Sequence, residues 1–415
     1  MKNKCLALIA ALLVCALLPA QVSAGAESAE AADITESCTV KTSGGKFKVS
    51  RLWDRQYRTA WVSDKIRRPW IEVTAPEEAC GVYVAFGDKL RPWQVQAKRG
   101  EKWETVYESA GEYAHEYAPL DGVKTFRIIY PEDRQTELSV SEIWVFGAGS
   151  VPGWVQMWEP PCEKADLMVL SAHPDDEILF FGGAIPWYAG EVGLRVQVAY
   201  MTCNTFERRS ELLDGLWLAG VRNYHVIGDF WDKYSKKIET AYDAWGKKKT
   251  DQAIVRLLRQ FRPEVLLTHD VNGEYGHGAH KVCADAAQRC FLSAADGGVY
   301  PDLGEPWQVK KLYLHLYPEN PIEMDWDRPM ASFDGKTGYE TAAEMYRKHV
   351  SQQDAGQKND RGVFERFQVE PRESRFSCYR FGLACSTVGE DSGIGEFFEN
   401  IPGFEYLQSG VSVVQ

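Results

Sequence analysis

The pattern of apolar and polar residues divides the chain into two kinds of sequence. From Cys38 to about residue 150, short alternating segments such as "WIEVTA", "GVYVAFG", "WQVQAKR" and "SVSEIWVFG" are separated by turn residues and show no helical period. They are rich in valine, isoleucine, threonine and aromatic residues. This pattern is typical of an antiparallel sandwich, so we predict an all-β, jelly-roll-like domain over residues 38–150.

After Ala165 the pattern changes to apolar runs that alternate with helix-like segments. The runs "DLMVLSA", "RVQVAYMT", "EVLLTHD" and "KLYLHLY" suit strands covered on both faces, and "ERRSELLDGLWLAG" and "TDQAIVRLLRQF" suit the helices between them. This order predicts an α/β Rossmann-like domain over residues 166–385, with a parallel sheet and helices on both faces. We expect a linker at 151–165 and a glycine-rich, acidic C-terminal tail at 386–415.

The N-terminus predicts export. A short basic region, "MKNK", precedes the apolar segment "CLALIAALLVCALLPA" and the small residues "VSA". These features indicate a signal peptide at residues 1–24 and a secreted, extracytoplasmic or cell-surface protein without an integral membrane segment after cleavage. A retained anchor is the alternative, although the apolar run is short for a membrane span. The small, acidic residues 25–37 predict a disordered lead-in.

Charge and cysteine content limit the partners and crosslinks. The formal net charge of −12 argues against nucleic acid or an anionic membrane surface as a partner. Eight of the ten cysteines follow the predicted cleavage site, and an even number in an exported chain permits disulfides. Proximity along the chain favours pairing of Cys38 with Cys80 and of Cys378 with Cys385.

The segment "SAHPDDEILFFGG" places His173, Asp175 and Asp176 directly after a predicted strand. Crowded carboxylates repel one another and lose hydration energy unless a cation lies among them. His269 and Asp270 follow the strand "EVLLT" in the same way, so both sets are expected at one rim of the sheet.

A second histidine pair completes a candidate zinc site. His277 and His280 are three residues apart where a helix begins, so they lie on one face. Ligands such as His173, Asp176 and His280 would hold zinc and leave a position for water, although ferrous iron also suits such a site. Asp175, a neighbouring carboxylate outside this set, would take a proton from the metal-activated water. His225 and His315 lie in apolar runs and are predicted to be core histidines, whereas His349 is open to either role.

The motif "AHPDDE", followed about a hundred residues later by "YGHGAH", resembles the PIG-L/LmbE-like zinc-dependent de-N-acetylase family. The resemblance covers about residues 166–350. It implies a Rossmann-like fold and removal of acetyl groups from N-acetylglucosamine-type substrates. It also implies roles for eight residues: His173, Asp176 and His280 as metal ligands, Asp175 as general base, His277 as oxyanion stabiliser or proton donor to the amine, Tyr275 as carbonyl polariser, and Arg208 and Asp232 as substrate-binding residues.

The chain departs from this family at its second motif, which commonly reads H-P-D-H. Here the sequence is His277-Gly278-Ala279-His280, so the motif lacks an acid that could hold a ligand histidine by a hydrogen bond. Asp270 and Glu274 are the candidates to replace it. Two assignments have a neighbouring rival, Arg209 for Arg208 and Asp229 for Asp232.

The N-terminal region resembles the discoidin, or coagulation-factor type C, galactose-binding-like family. The likeness lies in "LWD", "RRPWIEV", "GVYVAFGD" and "FRIIY" followed by "LSVSEIWVFG". It implies a glycan tether through residues 38–150, and the alternative is a spacer that packs on its neighbour.

Together these features predict an exported zinc-dependent hydrolase that removes the N-acetyl group from N-acetylglucosamine-type sugars or glycoconjugates. One alternative is a zinc amidase that acts on an acylated peptide or another non-sugar amide. The other is an inactive glycan-binding surface protein.

Overall fold

The computed structural model describes residues 29–358 and 363–408, so the predicted signal peptide lies outside the described residues. The N-terminal region is rich in β structure, and each of its pairings is antiparallel. Its strands are β1 (Thr39–Thr42), β2 (Trp61–Val62), β3 (Ile66–Arg67), β4 (Trp70–Phe86), β5 (Trp93–Arg99), β6 (Lys102–Ser109), β7 (His115–Ile129), β8 (Gln135–Thr136) and β9 (Ser139–Phe146).

The long strands β4 and β7 form the centre of this region. The main sheet has the order β2-β9-β4-β7-β5-β6, with β1 paired to β4, and β3 pairs with β8 in a separate ribbon. The segments "WIEVTA" and "GVYVAFG", predicted as two strands, form the single strand β4, whose pairing to β7 shifts register near Ala79. Alternate residues face a large apolar cluster containing Trp61, Trp93 and Phe126.

The lead-in, which was predicted to be disordered, and the expected linker both pack against the folded chain over their described residues. In the lead-in, Ala31 is buried and donates its N–H to Ser150 O at 2.8 Å, while the Thr35 hydroxyl accepts from Val145 N at 2.8 Å. In the expected linker, Val155 and Trp158 are buried. A few apolar side chains are therefore enough to hold these short polar stretches against the sheet.

The C-terminal region is built on a mostly parallel sheet. Its order is β12-β11-β10-β13-β14-β18-β15, and β18 runs antiparallel to β14 and β15 at one side. The strands are β10 (Leu167–Ser171), β11 (Val196–Tyr200), β12 (Val226–Ile227), β13 (Val265–Thr268), β14 (Lys311–His315), β15 (Pro321–Glu323) and β18 (Arg380–Ser386), and β16 (Gly356–Lys358) and β17 (Phe364–Arg366) form a separate hairpin.

Helices cover both faces of this sheet, as the continuous apolar strands predict. One apolar cluster joins α1, α2 and α6 to residues such as Val169 and Val198, and the other joins α3, α4 and α5 to residues such as Leu170 and Leu266. The helices are α1 (Asp176–Leu179), α2 (Phe206–Leu218), α3 (Ile238–Trp245), α4 (Lys247–Phe261), α5 (Gly278–Ser293), α6 (Gly338–Lys348) and α7 (Glu405–Gln408), with a π-helical turn at Pro186–Glu191. Among the described helices, none combines the length and apolar character needed to cross a lipid bilayer.

The expected C-terminal tail packs against the domain over its described part. Phe397, Phe398 and Ile401 are buried in the same cluster as α2. Asp391 forms a buried ion pair with Lys311 and accepts a hydrogen bond from the Tyr313 hydroxyl at 2.5 Å. This segment is therefore part of the core on one face of the sheet.

The expected disulfides are absent from the described residues, where each cysteine is a free thiol. Cys378 belongs to the apolar cluster on one face of the parallel sheet, whereas Cys385 packs against the cluster on the other face. Cys38 and Cys80 likewise contact different clusters. Proximity in sequence was misleading because the two members of each pair pack against different apolar clusters.

The two regions contact each other through α2 and the strand that follows it. Arg209 donates to the backbone carbonyls of Phe86, at 3.2 Å, and Gly87. The Tyr57 hydroxyl donates to Asp214 Oδ2 at 3.1 Å. Ala114 N donates to the Tyr224 hydroxyl at 2.9 Å.

We expect Asp391→Asn to lower the free energy of unfolding by about 3–5 kcal/mol, because it leaves the Lys311 ammonium buried without its counterion. The two side chains are 2% and 0% exposed. The matched control is Asp229→Asn, which breaks an exposed pair with Lys249 in which the aspartate is 87% exposed. We expect this control to cost at most about 1 kcal/mol in the same urea titration. Equal effects of the two variants would contradict the assignment of Lys311 and Asp391 to the core.

Candidate metal centre and active site

The ends of two neighbouring parallel strands supply the candidate site. β10 pairs with β13 in parallel register, Leu167 opposite Val265. His173 follows β10 and His269 follows β13, and Ala172 N donates to His269 Nε2 at 2.9 Å. The predicted meeting of both polar sets at one rim is confirmed, because the carboxyl ends of parallel strands lie at the same edge.

A cavity of about 370 Å³ opens at this rim. It brings together the eight residues to which the family resemblance gave a role. These lining residues are His173, Asp175, Asp176, Arg208, Asp232, Tyr275, His277 and His280. Leu179, Phe180, Tyr234 and Phe367 add apolar and aromatic surface to the wall.

Asp176 lies at the centre of the predicted ligands. Its Oδ2 accepts from His173 N at 2.9 Å and is 2.8 Å from His173 Nδ1 and 3.2 Å from His280 Nε2. Burial opposes ionisation of Asp176, but His280 and His173 outweigh it and hold the pKa well below its usual range. The carboxylate is therefore charged at neutral pH and available as a ligand.

The donor set fits a divalent metal. Ligand atoms of His173, His277 and His280 lie within 4.8 Å of one another, and so do those of Asp176, His269 and His280. Among the described residues, the buried Nε2 atoms of His173 and His280 make no hydrogen bond. These two nitrogens lie beside carboxylate oxygens, at 3.2 Å from Asp176 for His280 and 3.3 Å from Asp232 for His173, and such imidazole and carboxylate groups are the ligands that zinc and ferrous iron prefer. In contrast, His269 Nε2 already accepts from Ala172, which favours His173 over His269 as a ligand.

Glu274 replaces the acid that is missing from the second motif. Its side chain is fully buried, and its Oε2 accepts from His280 Nδ1 at 2.8 Å and His269 Nδ1 at 2.9 Å. Its Oε1 is 2.7 Å from His315 Nδ1. Burial alone would raise the pKa of Glu274. His269 and the other two histidines outweigh burial and hold this pKa well below its usual range. The other candidate, Asp270, contacts Asn272 instead.

The glycine of the second motif also has a structural reason. Gly278 N donates to Ser235 O at 2.7 Å, which a proline at this position cannot do. A Cβ atom on Gly278 would lie 2.3 Å from Ser235 Oγ. The departure from H-P-D-H therefore reflects close packing of the loop 228–237 on the start of α5.

Asp175 is held differently from its neighbour. Its Oδ1 accepts from Arg208 at 2.7 Å and its N–H donates to Glu177 Oε2 at 3.0 Å. Burial raises the pKa of Asp175 to about 7, and Arg208 only partly offsets this. The backbone of Asp175 has a φ of 104°, a strained conformation for a residue with a side chain, and such strain often occurs at functional sites.

Of each pair of rivals, one member lines the cavity and the other does not. Arg208 lines the cavity, whereas Arg209 points to the N-terminal region. Asp232 also lines the cavity and lies 3.3 Å from His173 Nε2, whereas Asp229 is exposed and pairs with Lys249. Arg208 is engaged by Asp175 rather than free for substrate.

His277 is placed to donate a hydrogen bond into the cavity. Its Nδ1 accepts from Ala279 N at 3.2 Å and thereby caps α5, so the proton of the neutral ring lies on Nε2. Burial, together with His280 and His173, lowers the pKa of His277 to about 3. The ring is therefore neutral at physiological pH.

Tyr275 occupies a φ of 55° and its hydroxyl donates to Glu370. Its ring stacks on Phe367 with centroids 5.0 Å apart. Tyr275 therefore lines the cavity with its hydroxyl already engaged.

The remaining histidines are buried. His315 contacts Glu274 and Ser377 O, at 3.1 Å, as expected for a core histidine. His225 lies under Tyr224 with ring centroids 4.4 Å apart, and its Nδ1 has no partner among the described residues. His349 is buried behind the cavity, and burial lowers its pKa to about 3. Neither His225 nor His349 lines the cavity.

Sequence reasoning did not identify the roles of Glu177 and Glu370. The Tyr200 hydroxyl donates to Glu177 Oε1 at 2.8 Å, and Glu177 in turn holds the backbone of Asp175. The acid after Asp176 was a signal for Glu177, but no local pattern pointed to Glu370, which is 95 residues from Tyr275.

The family model described as "PIG-L: GlcNAc-PI de-N-acetylase" matches residues 168–291, a segment that contains all eight predicted site residues. A 1D-myo-inositol 2-acetamido-2-deoxy-alpha-D-glucopyranoside deacetylase 2 from Saccharopolyspora erythraea is 31% identical over 273 residues, which are 54% of this chain and 95% of that relative.

A second relative, the corresponding deacetylase 1 from Frankia casuarinae, is 30% identical over 202 residues, which are 41% of this chain. The chain spans 65% of that relative and between 59% and 63% of three further such deacetylases. Among solved structures, the N,N'-diacetylchitobiose deacetylase from Pyrococcus horikoshii is 17% identical, with a TM-score of 0.34 over 45% of this chain and 71% of that chain.

We expect Glu274→Gln to weaken zinc binding by about 10- to 100-fold, because a neutral amide cannot accept from His269, His280 and His315 as the carboxylate does. The measurement is competition with a chromophoric chelator, with bound metal counted per chain. The control, Asp270→Asn, alters an acid on the same rim that does not contact His280, and we expect its zinc affinity to be unchanged. Wild-type affinity in Glu274→Gln would exclude an orienting role for this carboxylate.

Proposed function

We propose that this chain, which belongs to the PIG-L family of de-N-acetylases, is an exported, zinc-dependent hydrolase. Its proposed reaction is removal of the N-acetyl group from N-acetylglucosamine-type sugars or glycoconjugates. The proposal rests on one observation: the cavity holds two neighbouring aspartates whose pKa values are shifted in opposite directions. Asp176 is ionised among histidines, whereas Asp175 beside it has a pKa raised by burial to about 7.

His173, Asp176 and His280 would hold the metal, since Asp176 Oδ2 lies 2.8 Å from His173 Nδ1 and 3.2 Å from His280 Nε2, and His277 lies beside them. A divalent cation bound there supplies Lewis acidity that polarises a carbonyl and makes water more acidic. Ferrous iron takes the same ligand types as zinc at such a site.

Asp175 acts as the general base in this proposal. Arg208 holds Oδ1, so Oδ2 is the oxygen left to take a proton from water. A base with a pKa near neutrality can accept that proton and return it to the departing amine. Water then adds its oxygen to the acyl carbon, the C–N bond breaks, and acetate and a free amino sugar form.

The tautomer of His277 favours its role as oxyanion stabiliser over its role as proton donor. A neutral ring with the proton on Nε2 stabilises negative charge on the carbonyl oxygen by a hydrogen bond. It is a poor proton donor to the amine, which leaves that step to Asp175. Tyr275, with its hydroxyl on Glu370, shapes the wall beside the reacting group.

The substrate class rests on the relatives and on the polar side of the cavity. The named relatives deacetylate an acetamido sugar joined to inositol. Asp232 and the 67% exposed ring of Tyr234 are placed to contact sugar hydroxyls and an apolar sugar face. Export is supported by the basic and apolar segments of residues 1–24.

The test is acetate release from N-acetylglucosamine, its oligomers, N-acetylglucosaminyl-inositol and acyl-peptides, assayed in parallel with the zinc-loaded protein. We expect release from at least one acetamido sugar and none from the peptides. Release from the peptides alone would replace the sugar by another amide. Absence of release from every compound, with zinc bound, would contradict the enzyme assignment.

We expect Asp175→Asn to lower the rate of acetate release by about 10²- to 10⁴-fold, because the amide cannot take the proton from water. Bound zinc per chain should stay unchanged, since Asp175 is outside the ligand set. Asp270→Asn, on the same rim but outside the cavity lining, should keep activity within about threefold. A variant Asp175→Asn with wild-type turnover would show that another group is the base.

A further inference from the structure

A second cavity, of about 540 Å³, lies where the two regions meet. Tyr57 and Trp144 line it from the N-terminal region, Trp154 from the segment that joins the regions, and Asp214 and Trp217 from α2. It shares no lining residue with the cavity at the candidate active site. Arg208 and Trp217 are nine residues apart on α2, or about 13 Å along the helix axis.

Aromatic side chains form the walls of this interface cavity. Trp154 is 46% exposed, and its ring meets Trp144 and Tyr83 in T-shaped contacts with centroids 5.5 and 5.8 Å apart. The Trp217 indole N–H donates to Gly153 O at 3.0 Å. These contacts fix the orientation of the rings, and nearly half of the Trp154 surface stays accessible.

A carboxylate lies among the aromatic rings. Asp214 accepts from the Tyr57 hydroxyl at 3.1 Å and from Gln156 Nε2 at 2.6 Å. The Gln156 amide is itself fixed, since its oxygen accepts from Trp158 Nε1 at 2.9 Å. The Asp214 side chain keeps 24% of its surface exposed, so it presents acceptor positions to the cavity.

The remaining polar groups lie at the exposed side of the cavity. Lys348 and Arg222 both line it and are exposed, and the Arg222 guanidinium stacks 4.0 Å above the Trp217 ring. The cavity therefore offers hydrogen-bond donors as well as the Asp214 acceptor.

We propose that this interface cavity binds a neutral sugar residue of a glycan. A sugar ring has an apolar C–H face, which suits the exposed indole of Trp154, and a belt of hydroxyl groups that donate to Asp214 and accept from Lys348 and Arg222. A purely apolar ligand would leave the Asp214 carboxylate desolvated without a new partner, and a polyanion would be repelled by it. The proposal does not depend on the deacetylase activity, because the cavity is separate from the active site.

The test uses the full chain carrying Asp175→Asn, which prevents turnover, and isothermal titration with oligosaccharides of N-acetylglucosamine, galactose, glucose and mannose. We expect Trp154→Ala to weaken binding of at least one of these sugars by about tenfold or more, as expected for the loss of a stacking face. Trp154→Phe, which keeps an aromatic face, should retain most of the affinity. Asp214→Asn should weaken the same sugar without changing the melting temperature by more than a few degrees.

The matched control is Trp231→Ala, which removes an indole that is 71% exposed but does not line the cavity. We expect this variant to bind like its parent. Binding that is equally insensitive to Trp154→Ala and Trp231→Ala, or absence of binding to the whole panel, would overturn the proposal. Sugar binding that depends on Trp154, together with absence of acetate release by the zinc-loaded wild-type protein, would refute the proposed enzyme activity alone.

Discussion

One buried carboxylate organises the rim of the parallel sheet. Glu274 accepts hydrogen bonds from His269 after β13, His280 on α5 and His315 on β14, so its charge is compensated from three elements at once. Removing a partner from such a cluster would leave an unpaired buried charge, which is strongly destabilising. The same bonds place a proton on Nδ1 of His280. The lone pair of its Nε2, which lies beside Asp176, is therefore available to bind a metal.

The two aspartates that follow β10 show how position, rather than residue type, separates chemical roles. The two are equally buried, but His280 and His173 hold the pKa of Asp176 well below its usual range, whereas burial raises the pKa of Asp175 to about 7 and Arg208 only partly offsets it. Neighbouring carboxylates with separated pKa values are a general basis for dividing ligand and base functions. The positive φ of Asp175 is the backbone change that turns the two side chains to different partners.

Local patterns in the sequence were sufficient for the sheet and its helices, because these depend on periodicity, and for the metal-site residues that follow the strands. The resemblance to a known family, rather than a local pattern, pointed to Arg208, Asp232 and Tyr275. The partners of those residues were harder to predict. Glu274 was one of two candidates until its contact with His315, 41 residues away, distinguished it from Asp270. Glu370 and the packing of the lead-in and tail depend on contacts between distant segments, and so do the free thiols of Cys378 and Cys385, which no local pattern encodes.

The consecutive arginines of α2 have a consequence for how such proteins can be recombined. Arg208 holds the candidate base, and Arg209, the next residue, is fixed by two carbonyl groups at the end of β4. Because the two arginines are neighbours on one helix, a displacement of the helix at Arg209 would also displace Arg208. A different N-terminal domain would therefore have to present carbonyl oxygens to Arg209 at the same place. Only then would Arg208 keep its position on the candidate base, Asp175.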